Sequence, residues 1–206
     1  IAIQKFLDQA RAQSGVWFAS RQDIARHWAK THPYQPLERP SQMSRDAFVQ
    51  KFGSIYEHSP FIAERVWDSE MGAVHDTAGG LSARMAQIFR DCSDQERLGV
   101  LLAHPDLAGK LAAAKRLTAD STAEQASAGL DSLTDDERAE FERLNTAYVA
   151  RHGFPFIIAV RDHDKPGIMA AMRARIDNDT PTERREAERQ VARIGTLRLQ
   201  QVLGGN

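Results

Sequence analysis

The sequence contains very little cysteine and no long apolar run, and both shortages narrow the class of protein. Its single cysteine, Cys92, cannot form a disulfide within the chain, so we expect a reducing compartment and place the protein in the cytoplasm. No apolar stretch approaches the roughly 20 residues that a membrane-spanning helix needs. The chain also does not open with a basic segment followed by an apolar one, which is the pattern of a signal peptide.

An excess of one sign of charge is also missing. The 27 Lys and Arg residues nearly balance the 28 Asp and Glu residues, and the formal net charge is −1. This balance gives no reason to expect a nucleic-acid or membrane partner. The chain has no metal-binding His or Cys motif, no glycine-rich phosphate loop and no G-x-S-x-G motif. We therefore predict no metal site.

Apolar residues recur at helical spacing through most of the chain, which predicts an all-α fold. Segment 154–160 is the one strand-like stretch, and it has no second strand with which to pair. Several Ser and Thr residues are predicted to begin helices as N-caps. They are Ser44 and Ser59, together with four residues that have Glu three positions later: Ser93, Ser121, Thr134 and Thr180.

A proline-rich stretch separates two parts of the chain. Pro33, Pro36 and Pro40 lie close together, and prolines at this density are typical of a linker or a domain edge. We place the boundary near residue 40, so the predicted parts are 1–40 and 41–206.

His104 is the first candidate for chemistry. It ends an apolar helical segment and is followed by Pro105, which disfavours helical geometry at the residue before it. A histidine at such an end has a pKa near neutrality and suits general acid or base catalysis. The alternative is a structural histidine that neutralises the helix dipole.

Two other places could bind an anion. The helix start at Ser121, with Glu124 and Gln125, could hold an oxygen-rich anion at its exposed amides, although a capping box is the structural alternative. Arg198 continues the apolar stripe of the last helix, where its guanidinium must either meet an anion or reach solvent. His58 is a weaker candidate for the site, and His152 is expected to be solvated.

Five motifs in order resemble those of the 2-oxo-4-hydroxy-4-carboxy-5-ureidoimidazoline (OHCU) decarboxylase family. The resemblance spans about residues 43–203, and the order of the motifs makes it highly specific. The motifs are FGSIYEHSP at 52–60, HPDLAG at 104–109, LTADSTAEQASAGL at 117–130, LNTAYVARHGFPF at 144–156 and LRL at 197–199.

The resemblance implies an all-helical, typically homodimeric enzyme without metal or organic cofactor, a carboxy-lyase of urate degradation that converts OHCU to (S)-allantoin. It implies that His104 is the catalytic acid and that Glu124 belongs to the catalytic pair. The implied substrate-binding residues are Pro105, Ser121, Gln125, the backbone of Phe156, Ile157, Ile158, Ala159 and Val160, and Arg198.

The first 34 residues carry a second resemblance. Their aromatic and apolar pattern, from Phe6 through Trp17 and Trp28 to Tyr34, is similar to the C-terminal end of polysaccharide-deacetylase-like allantoinases. This implies a fusion of two consecutive steps on one longer chain. The alternative function is a non-catalytic helical module that binds a heterocyclic anion or acts as a scaffold for the allantoinase.

Overall fold

The computed structural model describes residues 2–32, 39–105, 107 and 133–204. These residues form α-helices joined by loops and short 3₁₀ turns, with no β-strand among them, so the predicted all-α class is confirmed. The helices are α1 (Ala2–Arg11), α2 (Arg21–Thr31), α3 (Arg45–Phe52), α4 (Phe61–Trp67), α5 (Ala78–Asp91), α6 (Asp94–Ala103), α7 (Asp135–His152), α8 (Lys165–Arg175) and α9 (Thr180–Leu203).

Most of the predicted helix starts that can be checked are confirmed. The hydroxyl oxygens of Ser44, Ser93 and Thr134 each accept a hydrogen bond, at 3.3 Å, from the backbone N–H three residues later. These bonds satisfy N–H groups that have no partner inside the helix. Local sequence therefore determines where α3, α6 and α7 begin. The predicted start at Ser121 lies outside the described residues.

Two predicted helix starts are wrong. Helix α4 has Pro60 as its N-cap, and the Ser59 hydroxyl instead donates to the backbone carbonyl of Glu57 at 3.1 Å. Helix α9 is capped by Asp179, whose carboxylate accepts from the N–H of Thr182 at 2.8 Å. Glu183, the expected partner of Thr180 in a capping box, is fully buried instead.

The chain divides into two compact units, Ile1–Glu38 and Arg39–Asn206. In the first unit, neither α1 nor α2 buries a side chain. Its aromatic and aliphatic residues are largely exposed, among them Phe6, Trp17 and Trp28. The second unit holds the hydrophobic core, as expected when a chain of this length buries one continuous apolar cluster.

Helix α9 is the central element of the second unit. It contacts α5, α6 and α7, while α4 joins α3 to α5. The predicted stripe of Ala187, Val191 and Ile194 is buried, and it continues to Arg198. A long amphipathic helix that buries one face against several neighbours organises the core of an α-protein. It also brings residues near the chain's end against much earlier segments.

The strand-like segment 154–160 is not a strand: residues 155–159 have no regular secondary structure, and Val160 begins a 3₁₀ turn. It follows Gly153, which has a left-handed φ of 80° and ends α7 as predicted. Residues 156–160 are all buried in the core. A buried segment that belongs to neither a helix nor a sheet must find other hydrogen-bond partners for its backbone.

Candidate active site

His104 lies buried at the C-terminal end of α6, as predicted. Its side chain is only 6% exposed, and its backbone is extended (φ −67°, ψ 132°) immediately before Pro105. The ring nitrogen Nδ1 is 2.8 Å from the backbone carbonyl of Val100. Because a carbonyl oxygen can only accept, Nδ1 carries a hydrogen. This bond orients the ring and selects the tautomer of the neutral imidazole.

Arg198 is buried against the loop that joins α3 to α4. Its Nη2 lies 3.2 Å from Oε2 of Glu57, and Nη1 is 3.5 Å and 3.4 Å from the carbonyls of Ser54 and Ile55. The side chains of Arg198 and Glu57 are 4% and 1% exposed. The alternative that Arg198 extends to solvent is therefore wrong, and the arginine meets an anion from its own chain.

The α3–α4 loop is shaped so that Glu57 points inward. His58 has a left-handed φ of 53°, a conformation that costs a non-glycine residue about 1 kcal/mol, and its side chain is exposed. Helix α9 approaches this loop closely at Gly195, where an added Cβ would lie 3.1 Å from Cε2 of Tyr56. This contact lies three residues before Arg198 and brings the arginine within reach of Glu57.

Glu57 was not among the predicted site residues, although it lies in one of the five motifs. A signal was present, because Glu57 is a carboxylate between Tyr56 and a turn, in a segment that otherwise packs in the core. A buried charge requires a partner of opposite sign. The sequence does not say which of the 27 Lys and Arg residues that partner is.

The segment Phe156–Val160 already uses part of its backbone for contacts within the protein. The N–H of Ala159 donates to Oε1 of Gln190 at 2.9 Å, and the carbonyl of Ile157 accepts from Nη1 of Arg175 at 2.9 Å. Both groups were predicted to bind substrate. Their protein partners hold the segment in place, and the binding of substrate by its backbone stays a prediction.

Arg175 belongs to a buried polar network centred on Glu183. Nε and Nη2 of Arg175 donate to Glu183 Oε1 at 2.9 Å and 2.6 Å, and the amide of Asn178 donates to Oε2 at 2.8 Å. The Tyr148 hydroxyl also donates to this carboxylate. Burial, reinforced by this hydrogen bond, raises the pKa of Tyr148 above its usual range. Tyr148 therefore acts as a neutral donor that helps hold α7 against α9.

Some predicted site residues cannot be placed. Ser121, Glu124 and Gln125 lie outside the described residues, so their convergence with His104 and Arg198 on one cavity stays a prediction.

The expectation that His152 is solvated is wrong. This histidine is 6% exposed, and its ring nitrogens lie 3.3 Å from Thr180 Oγ1 and from the carbonyl of Ile176.

Two general features concern only the described part of the chain. No group of three His, Cys, Asp or Glu side chains there could hold a metal ion. None of the helices described above is long and apolar enough to cross a membrane.

The fold and its buried polar groups define the class of this protein. The second unit is an all-helical domain with an oriented histidine at a helix end and a buried arginine on its central helix. The family model described as OHCU decarboxylase matches residues 41–200. The chain therefore belongs to the OHCU decarboxylase family.

Individual relatives agree with this assignment. The chain is 42% identical over 163 residues to a 2-oxo-4-hydroxy-4-carboxy-5-ureidoimidazoline decarboxylase of Haloferax volcanii, covering 79% of this chain and 93% of the relative. Among solved structures, an (S)-allantoin synthase has a TM-score of 0.63 at 29% identity over 80% of this chain, which spans 52% of that protein. An OHCU decarboxylase structure determined in the presence of (S)-allantoin has a TM-score of 0.57 at 18% identity, covering 79% of this chain and 99% of that one, and this likeness supports the fold.

Proposed function

We propose that this chain is a carboxy-lyase that decarboxylates OHCU to (S)-allantoin in urate degradation. The match of the family model to residues 41–200 carries this proposal. The buried, oriented imidazole of His104 supports it, because the reaction needs a proton donor at a defined position.

The chemistry needs no electron sink beyond the substrate itself. Loss of carbon dioxide leaves an electron pair on the ring carbon, and the adjacent carbonyl delocalises that pair as an enolate. The protein must hold the carboxylate out of the ring plane, stabilise the enolate oxygen and protonate one face of the carbon. The product is a single enantiomer because the proton arrives from one side only.

His104 is the proton donor in this proposal. Its imidazolium would give the proton from Nε2, since Nδ1–H is engaged with Val100. The neutral ring left behind has its remaining hydrogen on Nδ1, which is the tautomer that the Val100 carbonyl stabilises. Pro105 would shape the pocket beside the ring, and Glu124 would be its acidic partner.

Arg198 would bind an oxygen anion of the substrate. A guanidinium has five N–H donors, more than one carboxylate accepts. It can therefore bridge Glu57 and a substrate oxygen, with its direction set by the 3.2 Å contact to Glu57. Ser121, Gln125 and the backbone of residues 156–160 would provide the remaining polar contacts.

An assay of freshly prepared OHCU tests the activity. We expect the chain to accelerate the appearance of the circular-dichroism signal of (S)-allantoin. Binding of OHCU with no acceleration would overturn the enzymatic proposal and favour the alternative, a helical module that only holds the ligand or acts as a scaffold.

The remaining proposals concern the context of this domain. We propose that 1–40 is the C-terminal tail of an allantoinase-like domain with a linker, and that 41–206 is the decarboxylase domain. The exposed aromatic residues of the first unit, such as Trp17 and Trp28, support a partner for that tail. A homodimer is the expected assembly, which analytical ultracentrifugation of the chain tests, and the cytoplasmic location stays a prediction.

A further inference from the structure

Segment 156–160 is held between two side chains that come from different helices. Gln190 of α9 accepts from the N–H of Ala159, and Arg175 at the end of α8 donates to the carbonyl of Ile157, each at 2.9 Å. These two backbone groups flank Ile158 on either side. Side chains therefore determine the conformation of this segment, whereas hydrogen bonds to neighbouring strands would do so in a sheet.

Both holding side chains are themselves fixed. Arg175 is bound through two nitrogens to Glu183, and its guanidinium carbon lies 4.5 Å from the ring centroid of Phe156. The amide nitrogen of Gln190 donates to Glu186 Oε1 at 2.8 Å. That bond decides which end of the amide faces Ala159. Side chains in such connected networks have little rotational freedom.

Ile158 lies between the two contacts and is 4% exposed. No hydrogen bond among residues 2–32, 39–105, 107 and 133–204 engages its backbone N–H or carbonyl. Buried backbone groups nearly always have a partner. We infer that Gln190 and Arg175 are positioning residues that aim the backbone of Ile158 at the substrate.

This inference rests on the proposed function, and the chemistry of the substrate agrees with it. A buried N–H and carbonyl on one residue match a ligand that carries both a carbonyl and an N–H. A ureidoimidazoline has these groups in its ring and in its ureido arm. A loosened segment would weaken binding more than it would change the proton transfer, because His104 lies on another element.

The first test is Gln190→Met, which keeps the length of the side chain and removes the acceptor for Ala159. Gln190 and Ile158 both line a cleft of about 390 Å³, which leaves room for the methionine thioether. We expect kcat/KM to fall about 10-fold, mostly through a rise in KM. Hydrogen–deuterium exchange should be faster in peptides covering residues 155–162.

A swapped pair provides the rescue. In Glu186→Gln/Gln190→Glu, the new carboxylate still accepts from Ala159 and the new amide at position 186 can donate to it. We expect KM to return to within about 2-fold of the wild-type value.

The matched control is Thr196→Val, on the same helix. It removes a partly buried side-chain hydrogen bond, the 2.5 Å contact with Ser82 of α5, which involves no residue of the segment. We expect a similar loss of stability with wild-type KM and wild-type exchange at residues 155–162.

The outcomes separate the two proposals. A folded wild-type chain that does not accelerate OHCU decarboxylation would overturn the proposed function. Wild-type KM and kcat in Gln190→Met, with an active wild-type chain, would overturn the positioning role alone. An equal rise in KM in Thr196→Val would also overturn it, because the effect would then follow stability.

Discussion

The guanidinium of Arg198 and the carboxylate of Glu57 form an ion pair 3.2 Å apart, although 141 positions separate them in the chain. The two side chains are almost completely buried. Such a pair gains attraction from its apolar surroundings but loses the hydration of both charges. Its clearest consequence is that neither charge tolerates the loss of the other.

We predict that Glu57→Ala lowers the free energy of unfolding by about 3–5 kcal/mol, because it leaves the Arg198 guanidinium buried without this counter-charge. Urea denaturation followed by circular dichroism measures the change. The control is Arg45→Ala, which removes an ion pair to Asp68 whose side chains are 46% and 57% exposed. That change should cost less than about 1 kcal/mol. Equal losses would show that burial does not govern the Glu57 pair.

We predict that His104→Ala lowers kcat for OHCU at least about 100-fold while the fold stays intact, because general acid catalysis contributes about 10²–10⁴-fold. The steady-state rate and the far-ultraviolet circular-dichroism spectrum measure the two effects. His152→Ala is the matched control, since it also removes a buried histidine at a helix end. It should lose stability and keep kcat within about 3-fold. A fully active His104→Ala protein would remove His104 from the mechanism.

The Glu96 carboxylate predicts a dependence of stability on pH. Its hydrogen bonds with Arg65, first, and with Ser93 lower the pKa of Glu96 from 4.5 to about 2. A carboxyl whose pKa is depressed in the folded state stabilises fully above its unfolded pKa and loses that contribution as pH falls toward the folded value. The difference in unfolding free energy between wild type and Glu96→Gln should therefore be largest above pH 5 and shrink between about pH 4.5 and 2. A difference that is the same at pH 3 and pH 7 would contradict this.

Asp179 and Thr180 are adjacent at the start of α9, but only Asp179 caps the helix. The Asp179 side chain accepts from the N–H of Thr182, so Asp179→Ala should lower the free energy of unfolding by about 1 kcal/mol. Thr180→Ala should cost less than Asp179→Ala, because it removes the 3.3 Å contact with His152 Nδ1 but no helix cap. Thermal or urea unfolding of both variants gives the order. A larger loss in Thr180→Ala would favour the start that the sequence pattern indicated.

Helix starts show how much of the structure the local sequence predicts. Ser93 and Thr134 could be identified because a capping box needs only residues within one turn. The pattern at Thr180 was the same, yet Glu183 lies in a network with Tyr148 and Arg175. Arg175, on the preceding helix, and Tyr148, on α7, both bind this carboxylate, and a pattern confined to one turn contains no information about them.

In the candidate site, too, local features could be predicted from the sequence and tertiary contacts could not. The burial of His104 and its extended backbone could be predicted, because an apolar helix end and the following Pro105 are both local features. The place of Arg198 on a buried stripe also followed from helical spacing. Its partner Glu57 could not be predicted, since helical spacing defines a helix face but does not show which residues pack on that face. The protein contacts of Ala159 and Ile157 were likewise missed, because they come from α8 and α9.

The amino-acid sequence by itself determined the all-α class, the end of α6 at His104 and the inward face of α9, because each depends on residues within a few turns of one helix. Only the tertiary structure decided that Glu57 meets Arg198 and that Gln190 and Arg175 hold the segment around Ile158. Those partners are far apart in the chain. They meet because burying the apolar faces of several helices leaves each buried polar group few places to find a hydrogen bond.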